Sequence, residues 1–159
     1  MSSVANDDPQ VNFYLVAKAA LPKLRELAAA APVLPGEQAR VEAMRSYLRR
    51  APKQYDGNGD HLATLMAYLD DTGLLIETEG DARSNLELHL NGRVTIYATN
   101  AEQRARAAPD RIDPAALQRY WEEEQFQRTA AGDDIHAALD TLHANLEAAG
   151  DNAVLLVHW

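Results

Sequence analysis

The sequence predicts a single α+β domain over residues 1–159, and three observations carry that expectation. The chain has 159 residues, 47% of them hydrophobic and 25% charged, which is enough apolar surface to enclose one core. The spacing of apolar residues is helical before residue 74 and becomes alternating afterwards. The chain closes on Ala153, Val154, Leu155, Leu156 and Val157, a run too short for a useful helix and apolar at every position. Such a run belongs to a strand covered on both faces, with neighbours on both edges.

Taken in order, residues 9–31 are mostly good helix formers, with Asp8 before Pro9 as cap and first turn and Pro22 as a kink or break. A second helix is expected over 36–50, burying Val41, Met44 and Leu48, and ending at Ala51-Pro52. The loop 56–60 carries Asp60 as cap of a third helix with the stripe Leu62, Leu65, Met66 and Leu69, stopped by Gly73. A β-meander should follow, with strands at about 74–79, 85–89 and 93–98. A three-residue loop of Leu90, Asn91 and Gly92, with Gly92 left-handed, pairs Leu88 with Val94 and Leu86 with Ile96. Glu87, His89, Arg93 and Thr95 then share the wet or polar face. Residues 101–108 form a short helix or charged connector. Asp113-Pro114 starts a helix over about 114–131, and Gly132 separates it from one over about 134–149 with Ile135, Leu139, Leu142 and Leu146 buried. The strand 153–159 lies inside the antiparallel or mixed sheet, between strands of the meander.

Composition removes several function classes. A formal net charge of -9 and a pI of about 4.9 repel phosphate backbones, so nucleic acid is not the expected partner. The charge is uneven, because Lys18, Lys23, Arg25, Arg40, Arg45, Arg49, Arg50 and Lys53 crowd the first third. Without cysteine there are no disulfides, thiolate metal sites or cysteine nucleophiles, which favours the cytoplasm. The first residues have no signal-peptide pattern, and no segment is long and apolar enough to span a bilayer, so no membrane role is expected. No phosphate loop or nucleophile elbow is present, and neither Ser46 nor Ser84 has an assignable base.

Four polar patterns remain. His136, Asp140, His143 and Glu147 follow an i, i+4, i+7, i+11 spacing and share a helix face, a donor set suited to zinc or another divalent metal. The same spacing describes the solvated border of the apolar stripe, and no cofactor is expected. Residues 56–60, Asp-Gly-Asn-Gly-Asp, resemble the opening of a calcium loop, but His61 stands where glycine belongs and Ala67 where the bidentate glutamate belongs. The order helix, loop, helix and hairpin between Val41 and Ala98 resembles the layout of a winged-helix domain, which implies a regulator or adaptor. Its third helix carries Asp60, Asp70 and Asp71 and no basic residue, which argues against DNA reading.

The fourth pattern is Tyr120, Trp121, Glu122, Glu123 and Glu124, followed by Gln125 and Phe126. Trp121 and Phe126 cannot share one helical face, so one of them is a candidate for exposure among acids. An exposed aromatic ringed by carboxylates suits a basic protein partner. The resulting expectation is a non-enzymatic, acidic binding protein of inhibitor or immunity type, aimed at a basic toxin or nucleic-acid enzyme. The alternatives are a metal-dependent enzyme or sensor built on the histidine face, and the winged-helix-like regulator.

Overall fold

Val11, Phe13 and Leu15 are buried while Asn12 and Tyr14 are half-buried, a period of two that makes residues 11–16 a strand. A computed structural model describes residues 10–29, 36–75, 87, 89–124 and 132–158. Four strands are present among them: β1 (Val11–Val16), β2 (Arg49–Arg50), β3 (Arg93–Ala98) and β4 (Ala153–His158). They form an antiparallel sheet in the order β2-β1-β4-β3. β4 pairs along its length with β1, from Val11 opposite His158 to Val16 opposite Ala153. On its other edge it pairs with β3, from Arg93 opposite His158 to Ala98 opposite Ala153. The C-terminal strand is thus internal, as its apolarity requires, but it lies between β1 and β3 and not between two strands of the expected meander.

Six α-helices cover the sheet among the described residues: α1 (Leu21–Ala29), α2 (Glu37–Ser46), α3 (Gly59–Asp71), α4 (Ala101–Arg106), α5 (Pro114–Glu124) and α6 (Gly132–Ala149). The fold is α+β. Alternation along β4 divides the core in two. Val154 and Leu156 join Leu62, Leu65 and Leu69 of α3, Leu117 and Trp121 of α5, and Leu139, Leu142 and Leu146 of α6. Leu155 and Val157 join Leu21 and Leu24 of α1, Met44 of α2, and Leu90 on the opposite face. No helix among the described residues is long and apolar enough to cross a membrane.

The first expected helix is the main correction. Its first part is β1, followed by a 3-10 turn over Lys18–Ala20 and then α1. Helix propensities differ by only tenths of a kcal/mol per residue, whereas β4 needs a neighbour on this edge and the alternating apolar residues supply one. Pro22 is the second residue of α1, where a missing amide proton leaves no partner unsatisfied, so it starts a helix and does not kink one.

The second helix ends at Ser46, and Arg49 and Arg50 pair with Leu15 and Tyr14. Ala51 N–H donates to the Phe13 carbonyl at 3.0 Å, and the Gln54 side chain continues the ladder. Gln54 accepts from Phe13 N–H at 3.0 Å and donates to the Phe13 carbonyl at 2.9 Å, as a strand residue would. Asn145 of α6, fully buried, clamps the same segment by accepting from Lys53 N–H (3.3 Å) and donating to its carbonyl (2.9 Å).

Of the expected meander, the described residues hold the third strand. Leu74 and Leu75 both donate their amides to the Leu69 carbonyl, closing α3 behind Gly73 at φ 72°, and residues 76–79 lie outside the described residues. Glu87 and His89 have helical backbone where a strand was expected, as does Leu90 where a loop was expected, and 85, 86 and 88 lie outside the described residues. Asn91, not Gly92, is left-handed at φ 56°, and Gly92 N–H donates to the Glu87 carbonyl at 3.3 Å. That geometry ends a helical turn, so Asn91-Gly92 is a helix stop and not a hairpin. It leaves His89 buried against Glu37, the first residue of α2. Among the described residues, the helical backbone at Glu87, His89 and Leu90 takes the place of the hairpin arm that the winged-helix layout needs.

The remaining elements agree closely. Asn58 rather than Asp60 caps α3, accepting from Asp60 N–H at 2.9 Å. Residues 101–106 are helical, with a reciprocal cap between Asn100 and Gln103. α5 begins at Pro114, as expected, and its expected extension over 125–131 lies outside the described residues. α6 starts two residues before the expected position, and its four-residue apolar stripe is buried.

Candidate functional site

The sheet separates charge. On one face, α3 carries Asp60, Asp70 and Asp71, α5 carries Glu122 and Glu123 with Arg119, and α6 carries Asp140 and Glu147. On the other face, Lys23, Arg25, Arg40 and Arg45 balance Glu26, Glu37 and Glu42 on α1 and α2, and Arg50 lies on the same side of the sheet as Tyr14 opposite it. The layer of α3, α5 and α6 is thus the more acidic of the two.

Within the acidic layer, Tyr120 is half-buried at the edge of α5, and its hydroxyl donates to Asp71 Oδ2 at 2.7 Å. Its ring meets that of Tyr68 edge-on, with centroids 5.3 Å apart. Asp70, Asp71, Glu122 and Glu123 are exposed around this pair, and Gln118 Nε2 donates to Glu122 Oε1 at 3.1 Å. Glu124 is the last residue of α5, and Phe126 lies outside the described residues. The last turn of α3 carries Asp70 and Asp71 and no basic residue. Carboxylates at a helix C-terminus oppose the macrodipole, so their placement works against stability and concentrates negative potential.

Trp121 is not part of that surface. It is 0% exposed, one turn after Leu117 on the face of α5 that meets the sheet. Its ring centroid lies 5.3 Å from that of His61, whose Nδ1 is 3.1 Å from the Tyr55 hydroxyl oxygen. The aromatic among the acids is Tyr120, at the edge of the same helix.

The helical metal set is not brought together. His136, Asp140 and Glu147 are exposed and His143 is half-buried, with its Nε2 3.4 Å from Glu147 Oε1. No group of three or more histidine or acidic side chains at metal-binding geometry occurs among the described residues. The physical reason is length: positions i to i+11 share a face but spread over roughly 16 Å of helix axis. The calcium-like loop has a packing explanation, since a Cβ on Gly57 would come within 2.5 Å of the Tyr55 hydroxyl oxygen.

A polar cleft of about 330 Å³ lies between α3 and the β3 side of the sheet, lined by Met66, Asp70, Glu87, Arg93, Thr95 and His158 among others. Glu87 Oε1 accepts from Val94 N–H at 3.1 Å. His158 Nε2 is buried without a hydrogen-bond partner. Burial, and secondarily the Arg93 guanidinium opposite, lower the His158 pKa from 6.5 to about 4, against a smaller upward pull from Asp60. The imidazole is therefore neutral at pH 7. His158 sits in an otherwise apolar terminal run, and neither its distance to Arg93 nor its burial was visible before strand pairing was known.

The sign of the pH effect follows from that shift. The unfolded chain takes up this proton near pH 6.5 and the native chain only near 4, so acidification favours unfolding. We expect full stability above 6.5 and a loss of roughly 3 kcal/mol between 6.5 and 4 attributable to His158. His158→Gln should remove that component. Urea unfolding at successive pH values checks it, and a wild-type minus variant difference that stays constant over this window would contradict it.

No protein-family model matches the chain, and neither a curated protein nor a solved structure matches it.

Proposed function

We propose that this protein is a non-enzymatic, stoichiometric binding partner of a basic protein, acting as an inhibitor or immunity-type molecule toward a basic toxin or nucleic-acid enzyme. The observation that supports this reading is the layer of helices α3, α5 and α6, whose exposed carboxylates are accompanied on these helices by a single basic residue, Arg119. Half-buried Tyr120, resting on the buried Tyr68, lies among exposed carboxylates, a surface suited to arginine and lysine side chains. Complementary charge of this kind speeds association and suppresses wrong partners. A cytoplasmic location goes with this reading, since no cysteine is available for disulfides.

The test is to isolate partners from the source cells by cross-linking and to measure binding of the purified candidate. Asp70→Lys combined with Glu122→Lys and Glu123→Lys should slow association about tenfold or more and flatten its salt dependence. Lys23→Glu with Arg25→Glu, on the opposite layer, should leave binding unchanged. The reverse pattern would reject the acidic layer as the docking surface.

A further inference from the structure

The second face of the sheet holds a cavity of about 470 Å³, lined by Tyr14, Arg45, Leu48, Arg50, Leu90 and Val157. Leu90 and Val157 are buried and belong to the core on this side, and Leu48 is half-buried against it. Arg45 comes from the last turn of α2 and Arg50 from β2, where it pairs with Tyr14 of β1. The short connection through Tyr47 and Leu48 brings both arginines to one opening.

Neither guanidinium has an ion-pair partner among the described residues, and the Tyr14 hydroxyl has no hydrogen-bond partner there. Both arginines are exposed at the rim, in a chain whose acids outnumber its lysines and arginines 24 to 15. Unpaired cations beside an apolar floor complement one kind of molecule: an apolar body ending in an anion. The volume falls within the range of small-ligand pockets, which combine apolar walls with a few polar groups that orient the ligand.

We propose that this cavity binds a hydrophobic carboxylic acid, with its apolar body on Leu48, Leu90 and Val157 and its carboxylate held by Arg45 and Arg50. Guanidinium groups suit carboxylate because their planar donors match its two oxygens. The site lies across the sheet from the acidic layer, so it stands or falls independently of the protein-binding reading.

Titration of the full chain with 1-naphthoate, followed by ligand fluorescence and by competition with octanoate, tests the proposal. One saturable site is expected, weakened about tenfold or more in Arg45→Gln/Arg50→Gln, while the weaker binding of uncharged 1-naphthalenemethanol is unchanged. Leu48→Trp, at a half-buried position that tolerates a larger ring, should fill the cavity and lower binding of both probes. Absence of saturable binding at millimolar naphthoate, or equal affinity in the double arginine variant, would overturn it. So would a change of oligomeric state in that variant with naphthoate binding intact, since the patch would then belong to a second copy of the chain.

Discussion

Deletion of residues 153–159 is expected to abolish cooperative folding and leave insoluble protein. β4 is the only strand of the described sheet with partners on both edges over its whole length, so its removal separates β1 and β2 from β3. Ala153 to Val157 are at most 1% exposed, and they supply both cores at once. Full burial of an aliphatic side chain contributes about 1.5–3 kcal/mol, so the four large ones together rival the roughly 5–15 kcal/mol by which a domain is stable. Circular-dichroism melting of the truncated chain decides the matter. Soluble material with a sharp transition would show that the sheet closes without its central strand.

The second large effect is expected at Trp121. Trp121→Ala should destabilise the protein by about 3–5 kcal/mol, the range for a large aromatic removed from a core that only partly collapses. The ring is fully buried among residues of α3, α5 and α6 and packs against His61, so its loss opens a cavity where three helices meet the sheet. Trp121→Phe should lose less, because the indole Nε1 is buried without a hydrogen-bond partner and its removal relieves that group. Urea denaturation followed by circular dichroism measures both variants. A midpoint equal to wild type in Trp121→Ala would contradict the packing. Under conditions where the variant stays folded, the binding proposed for the acidic layer should persist, since Trp121 is buried in the core and Tyr120, Glu122 and Glu123 reach the surface.

The candidate surface was only half legible before the fold was known. Glu122 and Glu123 stand out as a run of acids, but helical angle alone could not assign Trp121 to the core and Tyr120 to the edge, since they are neighbours. The decision comes from Leu117, which lies one turn earlier and points at the sheet with Trp121. Asp70 and Asp71 join the same surface through the Tyr120 hydroxyl, a contact across 49 positions that no local pattern encodes. The histidine face shows the opposite limit, because residues that share a face can still be too far apart to meet at one ion.

The sequence by itself determined the elements whose signals are local and strong. The Pro114 helix start, the left-handed stop at Gly73, the stripe of α6, the bounds of β3 and the doubly apolar β4 all follow from side-chain chemistry within a turn or two. Tertiary structure decided the elements whose local preferences are weak. Residues 11–16 became a strand because β4 required a second partner, and Asn91-Gly92 is a helix stop that leaves His89 buried against Glu37 of α2. Propensities worth tenths of a kcal/mol give way when a strand pairing and the burial behind it are worth several.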